Sequence, residues 1–314
     1  MVARKATDDQ IIEAWAKHLS PARVAKALGL TTRVLLDRRR QIEAKTGKSL
    51  DVMPSAPNQH PKRLDLGILD GQIIVFSDAH FWPGQRTTAF KALLCFISEL
   101  QPKAVINNGD AFDGASISRH PQIAWEKTPS VIDELKACEV ALEEIEFAAG
   151  EAKLIWPLGN HDARFESRLS ANAPQYEFVS GFHLKDHFPR WQPCWSVWNG
   201  PDTVIKHRWK GGIHASHNNT VGAGVNIVTG HLHSLKVTPY DDYKGTRYGV
   251  DTGTLADPLG PQFRAYLEES PTNWRSGFVV LTFKDGKLLW PEIVSVFDKD
   301  HVQFRGEVIH VGKF

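Results

Sequence analysis

Five apolar runs in this chain each end in side chains that bind metals or move protons. Gln72–Phe76 runs through Ser77 into Asp78 and His80, and Lys103–Asn108 runs into Gly109-Asp110-Ala111-Phe112-Asp113. Lys153–Leu158 meets Gly159-Asn160-His161-Asp162, Thr203–Lys206 ends at His207, and Val225–Thr229 ends at Gly230-His231-Leu232-His233. Carboxylate, amide and imidazole are the hard and borderline donors that hold divalent cations. A short apolar, β-branched run bounded by turn formers reads as a buried strand. Open α/β sheets gather their ligands just past the carboxyl ends of such strands.

The elements that must position these groups follow from periodicity. Thr87–Leu100 places Phe90, Leu93, Leu94 and Ile97 on one helical face, Ser130–Ala149 reads as a second helix and Ala163–Ser170 as a third. Strands alternating with helices from Leu64 onward imply βαβ units and a largely parallel inner sheet. Later the helices thin out, and Gly277–Phe283 and Lys287–Val296 read as adjacent strands joined by a tight turn at Asp285-Gly286. A second sheet packed on the first is expected. The aromatic stretch from Tyr176 to Trp209 reads as an insertion packed on the core.

In this order the motifs D-x-H, G-D-x-x-D, G-N-H-D, a strand-end His and G-H-x-H resemble the calcineurin-like metallophosphoesterase family. The resemblance extends from about Leu64 to Val296 and includes Val250-Asp251-Thr252-Gly253-Thr254 after G-H-x-H. It implies an α/β fold, a two-layered β-sandwich flanked by helices, with a dinuclear metal site at its rim. Carried over residue by residue, it places one cation between Asp78, His80, Asp110 and His233, and a second between Asp110, Asn160, His207 and His231. Two cations acidify water and neutralise charge growing on phosphoryl oxygens. Mn2+ is the first expectation, with Fe2+ or Zn2+ compatible with the same donors.

The resemblance also implies that His161 lies outside the metal shell and protonates the leaving oxygen or stabilises the transition state. Asp162 and Asp113 are then expected to orient the histidines. The fourth motif departs from the family, where glycine follows the histidine; here Arg208 follows His207. His207 is the favoured ligand because it ends an apolar run, and His214, behind two glycines, is the alternative, otherwise placed near the substrate. Arg164, Arg119 and His120 are candidates to clamp a substrate phosphate, their alternative being ordinary exposed charge.

The first 50 residues have another character. They hold 11 Lys/Arg against 5 Asp/Glu, whereas the remaining residues hold 26 against 31, within a formal net charge of +1. Three short helices are expected there, the last carrying Arg33, Arg38, Arg39 and Arg40. The stretch Val24-Ala25-Lys26-Ala27-Leu28-Gly29-Leu30-Thr31-Thr32-Arg33 is similar to the second helix and turn of small helix-turn-helix domains. That makes DNA an expected partner, with those arginines on phosphates or base edges; the alternative is a helical cap with a solvated basic face. Pro54, Pro57 and Pro61 mark 51–63 as a linker, so residues 1–50 form a small all-α domain and 64–314 the phosphoesterase domain.

A small helix-turn-helix ahead of a phosphoesterase body is similar in layout to metallophosphoesterases encoded by tailed bacteriophages. A phosphodiesterase or nuclease acting on DNA is the leading expectation. A phosphatase or small-molecule phosphodiesterase is the second, and a DNA-binding regulator with a non-catalytic metal site the third. Three scattered cysteines, Cys95, Cys138 and Cys194, suit a reducing cytoplasm. No run approaches a membrane span and the N-terminus lacks a signal peptide's apolar core, so a cytoplasmic location, in the host if the protein is phage-encoded, is expected. The oligomeric state is not readable from the sequence.

Overall fold

The structure, a computed structural model, describes residues 6–18, 21–47, 50, 60–119, 125, 127–263, 267 and 270–312. It divides into two compact units, Met1–Gln59 and His60–Phe314. In the first, α1 (Asp8–His18), α2 (Pro21–Ala27) and α3 (Thr32–Thr46) enclose Ile11, Trp15, Val24, Leu35 and Ile42. Thr7 and Gln10 exchange side-chain and backbone hydrogen bonds of 2.9 and 3.2 Å, fixing the start of α1. Gly29 takes a φ of 66° between α2 and α3, and the Thr31 hydroxyl caps α3 by accepting from the Val34 N–H.

The second unit begins with β1 (Leu64–Asp65), β2 (Gly71–Phe76), α4 (Thr88–Leu100), β3 (Ala104–Asn107), α5 (Val131–Ala149), β4 (Lys153–Pro157) and α6 (Asp162–Asn172). Then come α7 (Leu184–His187), β5 (Gln192–Cys194), β6 (Val197–Asn199), β7 (Thr203–Ile205), α8 (Ala215–Ala223) and β8 (Asn226–Thr229). It closes with β9 (Lys236–Asp242), β10 (Gly245–Asp251), β11 (Gly277–Lys284), β12 (Lys287–Leu288), β13 (Glu292–Val296), β14 (His301–Phe304) and β15 (Glu307–His310). One sheet has the order β15-β14-β13-β11-β2-β3-β4-β5, with β12 paired to β11, and the other β1-β6-β7-β8-β10-β9. β2 to β5 are parallel, as the alternation with helices requires.

Strand alternation sorts the core into two faces. Ile73, Val75, Ile106, Val279 and Leu281 pack with Ile205, Val228 and Val250 of the second sheet. The intervening Ile74, Phe76, Val105, Phe278 and Val280 pack under α4 and α5, against Phe90, Leu93, Ile97, Leu142 and Ile145. The fold is a two-layered sandwich flanked by helices, as the sequence implies.

Four stretches differ from the sequence expectation. Lys287–Val296 is two strands, because Pro291 lacks the N–H a ladder needs. Within Tyr176–Trp209, Leu184, Phe188 and Trp191 pack on the core, but from Gln192 onward the stretch belongs to the sandwich itself, β5 completing one sheet and β6 and β7 the other. The hairpins β9–β10 and β14–β15 were not anticipated; the latter turns through Arg305 and Gly306 at φ 51° and 83°. Among the described residues no helix is long and apolar enough to cross a membrane, and the three cysteines are free and buried.

Phe278 has no exposed surface and meets Phe96 edge-on at 5.6 Å. Phe278→Ala is expected to destabilise the second unit by about 3–5 kcal/mol, read as a lowered denaturant midpoint in near-UV circular dichroism.

Candidate metal centre

The carboxyl ends of β2, β3, β4, β7 and β8 converge on one set of polar side chains. Beyond the strands, β2 and β3 stay zipped: Asp78 N donates to Gly109 O at 2.8 Å, His80 N to Asp110 O at 3.0 Å and Phe81 N to Ala111 O at 2.9 Å. Along this path Asp78, His80 and Asp110 have φ of 51°, 40° and 56°, and across the site His231 and His233 have 72° and 56°. Left-handed backbone turns each side chain away from the strand direction, and Asp and His tolerate it better than most residues. Glycines allow the close approach of the loops. A Cβ on Gly159 would lie 2.6 Å from Asp110 Cγ, and one on Gly230 would lie 2.6 Å from Asp78 Oδ2.

Three groups of side chains bring donor atoms within 4.8 Å of one another: Asp78, His80 and His233; Asp110, His207 and His231; and His80, Asp110 and His161. Asp110 belongs to two of them. Four buried atoms here have no hydrogen-bond partner: His80 Nε2, Asn160 Oδ1, His207 Nε2 and His233 Nδ1. Unpaired buried polar atoms are costly, and imidazole nitrogen and amide oxygen on the same strand ends as Asp78 and Asp110 make a donor set that fits cations. His80 gives its Nδ1 proton to Asp113 at 2.8 Å and His207 gives its own to Asn108 O at 2.7 Å. With Nδ1 the donor, Nε2 is in each case the nitrogen free to take a cation in place of a proton.

His207 is 2% exposed, with Nε2 3.0 Å from Asp110 Oδ2 and its ring 5.3 Å from that of His231. His214 is exposed at the start of α8, away from all three groups. His161 has both nitrogens engaged, Nδ1 with Asp113 Oδ1 at 2.9 Å and Nε2 with Arg164 Nη2 at 3.1 Å. Burial opposes charge on His161, but Asp110 and Asp113 outweigh it and hold the pKa above the ordinary value. Burial likewise opposes charge on Asp110, yet His207, His161 and His80 keep its carboxyl well below the usual range.

Asp113 accepts from His80 and His161 together. Asp162 does something else. It touches no histidine, and its carboxylate accepts from the backbone N–H groups of Asp110, Ala111, Phe112 and Gly159 and from Trp156 Nε1, at 2.7–3.1 Å. It holds the Asp110 turn by its backbone, while burial and the Asp110 charge push its pKa up to about 6. Arg164 joins the site through Asp113 O at 2.9 Å as well as His161. Arg119 is exposed beyond Ala115–Ile117, and His120 lies outside the described residues.

Other supporting groups were not found from the sequence. Glu134, fully buried on α5, accepts from Gly114 N at 2.6 Å and Ala115 N at 3.0 Å, anchoring the turn that carries Asp113. Burial and the Asp113 charge push its pKa up to about 7. Thr254 donates to Asp78 O at 2.6 Å, Ser77 bonds the Asp78 carboxylate, and Asp251 accepts from Ser234 N and Gly253 N to hold the His233 loop. Phe263 and Trp274 pack on His233 at 5.5 and 4.4 Å between ring centroids. The only sequence signal for these was the glycine-containing strand end at Val250–Thr254.

In the helical unit, Arg38 pairs with Asp8 at 2.5 Å, and Arg39 pairs with Glu43 at 2.7 Å while lying 5.0 Å over Trp15. Both are half-buried and serve the packing of that unit. Arg33 and Arg40 are exposed, Arg40 with a 3.4 Å pairing to Asp37.

Because the Gly159 position has no room beside Asp110, Gly159→Ala is expected to weaken divalent-metal binding at least tenfold, with the far-UV circular dichroism unchanged. Calorimetric titration of the metal-stripped protein with Mn2+ checks this.

Comparison with known proteins bears on the same residues. The model of the Calcineurin-like phosphoesterase family matches residues 71–251, which span the strand ends from β2 to β10. Gene 54 protein of Mycobacterium phage L5 is 25% identical over 245 residues, covering 72% of this chain and 93% of the relative. Gene 54 protein of Mycobacterium phage D29 is 25% identical over 264 residues, with the same coverages of 72% and 93%. Among solved structures, wild-type Vps29 complexed with zinc from Entamoeba histolytica aligns with a TM-score of 0.38 at 14% identity, over 77% of this chain and 99% of that one. With the family model matching more than half of its length and the metal-facing residues inside that match, the chain belongs to the calcineurin-like phosphoesterases, metal-dependent hydrolases of phosphoric esters.

Proposed function

We propose that this phosphoesterase cleaves the phosphodiester backbone of DNA, with the helical unit as its tether. The observation that carries the reading is the charge split: 11 Lys/Arg against 5 Asp/Glu in residues 1–50, ahead of a body with 26 against 31. A mildly acidic body gains nothing from bulk attraction to a polyanion, so a basic module joined to it raises the local concentration of backbone phosphates. Exposed Arg33 and Arg40 on α3 are the side chains for that contact, α3 being the helix that follows the Gly29 turn. On the body, the exposed Arg208-Trp209-Lys210 follows directly on His207, with Lys210 Nζ 5.0 Å from the Trp209 ring. Cations beside an aromatic face suit a nucleic-acid strand.

Asp78, His80, Asp110 and His233 would hold one cation, and Asp110, Asn160, His207 and His231 the other, with Mn2+ the preferred ion. Bound there, two cations supply Lewis acidity toward phosphoryl oxygens and lower the pKa of water. The chain's own groups do the rest. Asp113 fixes His80 and His161 through their Nδ1 protons, so His161 Nε2 is the atom that holds the proton for the departing alkoxide. Arg164, now on that nitrogen, is placed to transfer its guanidinium to a phosphoryl oxygen as substrate enters.

The test uses full-length protein stripped of metal and resupplied with Mn2+, given linear DNA, circular DNA and bis(p-nitrophenyl) phosphate in parallel. DNA cleavage is expected, with His161→Ala lowering kcat by about 100- to 10,000-fold while metal content is retained. DNA affinity should fall with salt, and Arg33→Ala combined with Arg40→Ala should reduce the log–log salt slope by about 1.8. Turnover of the small ester without DNA cleavage would replace this reading with a small-molecule phosphoesterase. Metal binding without any turnover would replace it with a DNA-binding regulator.

A further inference from the structure

A groove of about 760 Å³ opens beside the metal centre, with Ala79 and His80 among its lining residues. One wall is the loop Phe81–Thr87, with Phe81 and half-buried Trp82; the other is the face of α5 that carries Asp133, Lys136, Ala137, Val140, Ala141 and Glu144. These α5 positions recur at helical spacing, so they form one stripe about 16 Å long. Glu134, bound to the turn after Asp113, ties the first turns of α5 to the His80 end. Far along the stripe, Arg86 bridges to Glu144 at 2.7 Å. The groove therefore begins at a metal-facing imidazole and ends at an ion pair.

Its chemistry is specific. Lys127 and Lys136 are exposed on its rim, and no ion pair is seen for either among the described residues. Half-buried Trp82 supplies aromatic surface at the near end. Gln262 also lines the groove, and its buried Oε1 has no hydrogen-bond partner. A carboxamide with a free acceptor can meet the edge of a heterocyclic base, aromatic faces stack on any base, and lysines pair with phosphate oxygens. The volume lies within the range of sites that enclose small molecules.

We infer that this groove is the subsite for the nucleoside esterified to the phosphate at the metal centre, its base against Trp82 and its next phosphate toward Lys136 and Lys127. The inference rests on the reading of a nucleic-acid phosphodiester as substrate, and names where one nucleotide unit of it binds.

The test compares thymidine 3′,5′-bisphosphate, which carries the nucleoside and the next phosphate, with methyl phosphate, which carries neither, by calorimetry on the Mn2+-loaded full-length protein. The nucleotide is expected to bind at least tenfold more tightly. Trp82→Ala, and separately Lys136→Ala on the exposed helix surface, should narrow that ratio at least fivefold; Phe147→Ala, on an exposed position of α5 outside the groove, should keep it. Equal affinities in the wild type, or a ratio kept in both groove variants, would overturn the subsite. Hydrolysis of bis(p-nitrophenyl) phosphate is followed in the same samples. If that ester is not turned over, the hydrolytic reading fails, while the affinity ratio still decides the groove.

Discussion

Five residues at the centre, Asp78, His80, Asp110, His231 and His233, hold a left-handed backbone without being glycine. Such conformations cost on the order of 1 kcal/mol or more each, against a total stability of roughly 5–15 kcal/mol for a domain. They persist because the surrounding hydrogen bonds leave no alternative. Asp162 is the hub of that restraint. It is 1% exposed and collects four backbone N–H groups and the Trp156 indole around the turn that presents Asp110. A buried carboxylate is unfavourable unless donors surround it, so the aspartate and the turn each make the other tenable. Thr254 and Ser77 do the same for Asp78.

The distance across the centre is set by packing rather than by the ligands. Asp78, His80, Asp110 and Asn160 follow strands of one sheet, and His207, His231 and His233 follow strands of the other. The layer between them, with Val75, Ile106 and Val279 against Ile205, Val228 and Val250, fixes how far apart the two ligand sets lie. Interiors of this kind are close-packed and yield little. Donors contributed by both sheets are thus brought together, and His207 Nε2 meets Asp110 Oδ2 directly at 3.0 Å.

The strand ends were legible because residue type and position speak together: an apolar run that stops at Asp, Asn or His has few structural reasons to do so. Helices α4 and α5 were legible from their apolar period and from Thr87 and Ser130, which cap them. What was not legible depends on partners distant in sequence. Asp162 beside His161 reads as a histidine's partner, and only the fold shows it turned to backbone N–H groups. Glu134 in the first turn of a helix reads as a complement to the dipole, yet it is buried against Gly114. Arg38 and Arg39 read as free basic charge, and acids on α1 and α3 claim them. The hairpin β9–β10 stayed hidden because its outer strand buries no residue fully and lacks a clean apolar alternation.

Helix α5 joins support of the chemistry to the shape of the neighbouring groove. Its buried side sends Glu134 to the Gly114–Ala115 backbone, and the adjoining Asp113 grips His80 and His161. Its other side presents Lys136 and Ala137 to the groove. With Leu135, Cys138, Leu142 and Ile145 packed into the core under it, α5 behaves as one rigid piece on the scale of a hydrogen bond. A displacement of α5 large enough to reshape the groove would therefore also pull Asp113, and through it both imidazoles. The wall of the groove and the orientation of His80 and His161 are thus set by the same packed helix.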